Sequence, residues 1–123
     1  MAVSAADPIT TAIAHREGVA VVSIGGEIDL STAPAFEAAI ATALEANPVV
    51  LVIELSQVSF MASVGLRILA ATQENAGNSA QVAVVANNSA VSRPIQLTGL
   101  DKIFSLYPTL DAALIAVGEP PKV

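Results

Sequence analysis

The spacing of apolar positions changes several times along the chain, and each change marks an element. One β-type run extends from Ile9 to about Arg16 and another from Val19 to Gly25, with Glu17 and Gly18 punctuating the two. That arrangement predicts an antiparallel hairpin. Gly25-Gly26 then reads as a turn before Glu27. Ser31 and Thr32 precede Pro34, with Glu37 close behind, which is a helix-start signal. Phe36, Ala39, Ile40, Ala43 and Leu44 fall at i, i+3, i+4, i+7 and i+8, one apolar stripe at helical period, until Asn47-Pro48 ends it. Val49 to Leu55 is continuously apolar except for Glu54, as expected of a strand covered on both faces.

A second helix is expected to start near Ser63 and to end around Asn75-Ala76-Gly77, where Gly77 suits a left-handed cap. Gln81 to Ala86 is another buried strand, closed by Asn87-Asn88. A short helix over Ser92 to Thr98 places Pro94 in its first turn. Ile103 to Tyr107 forms a brief last strand, and Thr109 to Val117 a final helix with Leu110, Leu114 and Val117 on one face. The order is β-β-α-β-α-β-α-β-α. It predicts an α/β fold: a mixed sheet of four to five strands that opens with an antiparallel hairpin, its later strands parallel, flanked by about four helices.

Composition narrows the chemistry. The chain has 123 residues, 54% of them apolar and 13% charged, with 24 alanines and 15 valines. That length fits one domain, expected over residues 8–117, with flexible termini at 1–7 and 118–123. The absence of cysteine excludes disulfide scaffolds, thiolate metal sites and cysteine nucleophiles. His15 is the only histidine, so a His-rich metal centre is excluded too, and no metal or cofactor is expected. Net charge is −6, and the five basic residues are dispersed, which argues against a grip on nucleic acid. No run of about 18 apolar residues is present to span a bilayer. The first residues lack the basic start and apolar core of a signal peptide, so a cytoplasmic location is expected.

Catalytic signatures are missing. There is no Gly-rich phosphate loop followed by Lys-Ser or Lys-Thr, and no G-x-G-x-x-G after a strand. His15 has no serine partner nearby in the chain, and Glu27 and Asp29 read as solvated turn acids. The chain is expected not to be an enzyme. What stands out is Leu55 to Leu66, twelve residues without a formal charge between a buried strand and a helix. Phe60 and Met61 within it must either enter the core or remain on the surface. Ser63 lies where the helix begins, and its hydroxyl is placed to cap free backbone N–H groups, which a phosphate would also meet.

Three blocks resemble the anti-sigma factor antagonist family, the small stand-alone STAS domains of bacteria. They are Gly26-Glu27-Ile28-Asp29-Leu30-Ser31-Thr32-Ala33-Pro34, then Val50 to Leu55 leading into Val58-Ser59-Phe60-Met61-Ala62-Ser63-Val64-Gly65-Leu66, and Leu97-Thr98-Gly99-Leu100-Asp101-Lys102-Ile103-Phe104. They occur in family order, and the similarity covers roughly residues 8–117. The resemblance implies a partner switch. Unphosphorylated antagonist binds an anti-sigma factor that is also a serine kinase of GHKL type, freeing a sigma factor. Phosphorylation of a serine at the start of the second helix, here Ser63, releases it, and a phosphatase resets it. The implied partner-binding residues are Glu27, Asp29, Ser31, Thr32, Ser59, Phe60, Met61, Ala62, Val64 and Arg67, with Ser59 a fallback acceptor. This chain departs from the family pattern twice: Ala62 stands where an Asp usually precedes the acceptor, and Val64 where a second serine often follows. The alternative is a non-switching STAS domain serving as an interaction module in a lipid-transport or signalling assembly. A third reading, binding of a small ligand or nucleotide, lacks any phosphate loop.

Overall fold

The computed structural model of the chain describes residues 9–76 and 79–117. The cap expected at Gly77 and both expected flexible termini lie outside the described residues. Strand β1 (Ile9–Arg16) pairs antiparallel with β2 (Val19–Ile28), from Ile9 opposite Gly26 to Arg16 opposite Val19. Glu17 and Gly18 between them have φ of 51° and 85°. Positive φ at both central residues is the two-residue turn whose twist matches a hairpin.

After the hairpin, the chain alternates α1 (Ala33–Leu44), β3 (Val50–Met61), α2 (Ser63–Ala76), β4 (Gln81–Val85), α3 (Ser89–Leu97), β5 (Ser105–Tyr107) and α4 (Leu110–Ala116). The described strands form one sheet in the order β1-β2-β3-β4-β5, parallel from β2 onward. Each parallel crossover moves one strand over in the same direction, so crossovers of one hand put their helices on one face. The packing agrees. Val22, Ile24, Leu51, Ile53, Leu55 and Val84 meet Phe36, Ile40, Ile68, Leu69, Val91 and Ile95 in the larger core. The alternate residues Val50, Val52, Ala83 and Val85 meet Ala113 of α4 and Val117 just after it on the other face. The near-continuous apolar run of β3 is therefore buried on both sides in its first half.

Four boundaries differ from the sequence reading. Gly25-Gly26 does not end β2; the strand runs on to Ile28 through register shifts against β3. Gly26 adopts φ of 99°, and a Cβ at Gly25 would meet Thr10 Oγ1 at 2.8 Å and Gln57 Cβ at 3.3 Å. The doublet is a bulge inside the strand, not a turn after it. Likewise β3 continues to Met61, so much of the uncharged segment is strand. Helix α3 starts three residues early because the Asn88 carboxamide oxygen accepts the Val91 N–H at 3.1 Å, leaving Pro94 in the sixth position instead of the first turn. Gly99, with φ of 80°, opens a 3₁₀ turn over Leu100–Lys102 that shortens β5 to three residues.

Candidate functional site

The expected site residues converge at the C-terminal ends of β2 and β3, the edge of a parallel sheet where loops gather. Ile28 lies opposite Met61, and the Ala62 N–H donates to the Ile28 carbonyl at 2.8 Å. That bond extends the ladder one step past the strands. It sets the turn that begins at Asp29 beside the start of α2.

The turn is held by its own side chains. Asp29 Oδ1 accepts the Ser31 hydroxyl at 2.7 Å, the Ser31 N–H at 3.0 Å and the Thr32 N–H at 3.2 Å. The Ser31 hydroxyl is the main reason the Asp29 carboxyl sits below the usual carboxylate range. Desolvation opposes it, and the N–H groups of Thr32 and Ser31 add to it. Thr32 stands at the cap position of α1, but its hydroxyl turns backward. It donates to the Glu27 carbonyl at 2.8 Å and accepts the Asp29 N–H at 2.9 Å. The predicted helix start is thus in place, while the hydroxyl fastens the preceding turn.

On the second strand, alternation settles the question posed by Phe60 and Met61. Phe60 points out and is 50% exposed; Met61 points in and is 5% exposed. Ser59 is an exposed strand residue whose hydroxyl reaches the Gly26 carbonyl across the sheet at 3.4 Å. Ala62 occupies the position before the first helical residue, and its carbonyl accepts the Gly65 N–H at 2.9 Å. Ser63 is consequently the first helical residue and not the cap. It is exposed, as are Glu27, Ser31 and Arg67, while Ala62 and Val64 are half-buried.

Met61 and Thr32 (3% exposed) therefore support the rim from beneath. Three further residues shape it. Leu30, at 78% exposure, is an apolar tip between Asp29 and Ser31. Its signal in the sequence was an aliphatic residue inside a polar turn. A Cβ on Gly65 would lie 2.7 Å from Met61 Cγ and 2.9 Å from Ile28 Cγ2, so glycine is what lets α2 sit against the strand ends. Asn88 caps α3 and also donates to the Val58 carbonyl at 3.0 Å, tying α3 to the same end of β3. Its signal was an Asn directly before the run Ser89-Ala90-Val91. Among the described residues, no group of three or more His, Cys, Asp or Glu is placed to hold a metal ion. No helix among them is long and apolar enough to cross a membrane.

The arrangement is a rim with apolar points at Leu30 and Phe60, an exposed hydroxyl at Ser63, and carboxylates at Glu27 and Asp29. A family model for the STAS domain matches residues 10–113. Over 114 residues, 93% of either chain, the sequence is 56% identical to the anti-sigma-F factor antagonist RsfB of Mycobacterium tuberculosis. The chain belongs to the STAS-domain anti-sigma factor antagonist family. A crystal structure of an anti-sigma factor antagonist from Mycobacterium paratuberculosis matches this STAS domain with a TM-score of 0.86 at 56% identity, covering 94% of this chain and 98% of that one. The anti-sigma factor antagonist SpoIIAA in its unphosphorylated form shares the STAS fold at 18% identity, with a TM-score of 0.68 over 86% of this chain and 95% of its own.

Proposed function

We propose that the chain is an anti-sigma factor antagonist that frees a sigma factor by docking on its anti-sigma factor through the rim at the ends of β2 and β3. The proposed partner is a serine kinase of GHKL type, and docking is reversed by phosphorylation of Ser63. A separate phosphatase restores the binding form. The STAS domain acts here by binding, in the cytoplasm, without direct contact to nucleic acid. The 56% identity to an antagonist named for an anti-sigma factor supports the partner class.

The observation that carries the switch is the position of Ser63. Its hydroxyl is exposed on the first turn of α2, next to a residue without a side-chain charge, and beside half-exposed Phe60. In the modification, the Ser63 oxygen bonds to the γ-phosphorus of ATP, the bond from that phosphorus to the bridging oxygen breaks, ADP leaves, and the hydroxyl proton is released. The product adds about −1.5 to −2 charge units and strong acceptor oxygens at a surface that must otherwise shed water to bind. Desolvating that charge costs several kcal/mol unless the partner supplies cations. Release needs no refolding of the antagonist.

The test is incubation with the cognate anti-sigma kinase and ATP, followed by intact-mass measurement. One added phosphate is expected, and Ser63→Ala should abolish it while leaving binding intact; phosphate that persists in Ser63→Ala assigns the acceptor elsewhere, Ser59 being the next exposed hydroxyl on the rim. A second reading rests on Ala62, which leaves the acceptor without the neighbouring acid that the family usually has. In that reading the STAS domain is a constitutive interaction module, and the wild-type chain binds the kinase yet stays unmodified.

A further inference from the structure

Arg67 lies four residues after Ser63 and is the only base on α2. Residues i and i+4 of a helix are surface neighbours, with Cβ atoms about 5–6 Å apart. Helical side chains lean toward the N-terminus, which puts the turn that carries Ser63 within reach of the Arg67 guanidinium. Both residues are exposed. An anion at i and a cation at i+4 is also the favoured order for such pairs, because it agrees with the helix dipole.

The charged groups that β2, the turn after it and α1 bring next to Ser63 are acidic. Glu27 and Asp29 stand on the neighbouring strand end and turn, and the Ser31 hydroxyl helps hold the Asp29 carboxyl ionised. Glu37 of α1 and Arg67 both line a shallow cleft of about 150 Å³, together with Val64, Ile68 and Ala71. A phosphate on Ser63 enters surroundings in which carboxylates come from β2 and α1, and the one guanidinium on its own helix is within reach.

We propose that Arg67 is the intramolecular receptor of a phosphate carried by Ser63. Phosphorylation draws the guanidinium into a charge-assisted, two-pronged hydrogen bond with the phosphate oxygens. The modification then changes the docking rim twice: it adds an anion, and it withdraws a cation from the surface that meets the partner. This deepens the switch described above and rests on the reading of Ser63 as the acceptor.

Installing phosphoserine at position 63 during synthesis of the full chain tests the assignment without any kinase. The second ionisation of the phosphate is followed by ³¹P NMR in chains carrying Arg67, Arg67→Lys or Arg67→Gln. With Arg67 present, the ionisation should fall about half a pKa unit below that in Arg67→Gln, roughly a threefold change in acid constant. Arg67→Lys should recover part of the difference, and 0.5 M salt should shrink it. The Arg67 Nε–H resonance should also move between the serine and phosphoserine chains. Equal titrations in the Arg67 and Arg67→Gln chains, or an unmoved Nε–H signal, overturn the assignment. A kinase that leaves Ser63 unmodified sinks the switch reading, whereas equal ³¹P titrations sink the role of Arg67, so the two failures are told apart.

Discussion

Gly65 offers the sharpest test of how α2 is seated. Replacing glycine by alanine within a helix ordinarily stabilises by up to about 1 kcal/mol. Here the added methyl would sit 2.7 Å from Met61 Cγ and 2.9 Å from Ile28 Cγ2, whereas carbon atoms in contact prefer about 3.5–4.0 Å. Met61 and Ile28 are both buried, so neither side chain has open space to yield into. Overpacking of this kind costs about 1–3 kcal/mol. The clash therefore wins, and Gly65→Ala should lose up to about 2 kcal/mol net in urea unfolding at unchanged m value. Met61→Ala removes the nearer contact, so in that background the Gly65→Ala cost should shrink by at least about 0.5 kcal/mol, the coupling expected of touching residues. Binding to the anti-sigma factor should weaken too, since relief of the clash tilts the turn that carries Ser63. A Gly65→Ala chain more stable than wild type, or one showing no coupling to Met61→Ala, would refute the close-approach argument.

Thr32→Val should cost about 1–3 kcal/mol in the same assay, because it leaves the Glu27 carbonyl and the Asp29 N–H without their partner, whereas Thr32→Ser should recover most of that loss. The Asp29 carboxyl should titrate by NMR below the ordinary carboxylate value near 3.9, and Ser31→Ala should raise it. Because the folded pKa is the lower one, the stabilisation is present above the unfolded pKa and is lost as pH falls through the folded value. Asp29→Asn should accordingly flatten that acid limb. Phe60→Ala should barely alter stability, since the ring is half-exposed. Measured by calorimetry against the anti-sigma factor, it should weaken binding by about 2 kcal/mol, roughly thirtyfold, if it is an interface anchor; an unchanged Kd would place the interface elsewhere.

Period and punctuation in the sequence determined the element types, their order, the hairpin turn at Glu17-Gly18 and the double coverage of β3, because these depend on local backbone preference and on which side chains must leave water. The family was legible in three blocks for the same reason: the turn at Asp29 and the start of α2 are short, contiguous motifs. What tertiary structure alone decided was orientation and reach. Gly25-Gly26 reads as a turn until the neighbouring Thr10 and Gln57 show that it is a bulge fitted between two strands. Phe60 and Met61 are equally apolar, and only the extension of β3 sends one outward and the other beneath Gly65. Ser63 read as a cap because a cap differs from a first helical residue by one position. That position was fixed from outside the segment, by the Ala62 N–H bonding to the Ile28 carbonyl 34 residues earlier in the chain. Local patterns choose elements, and contacts between distant residues choose which side chains the elements expose.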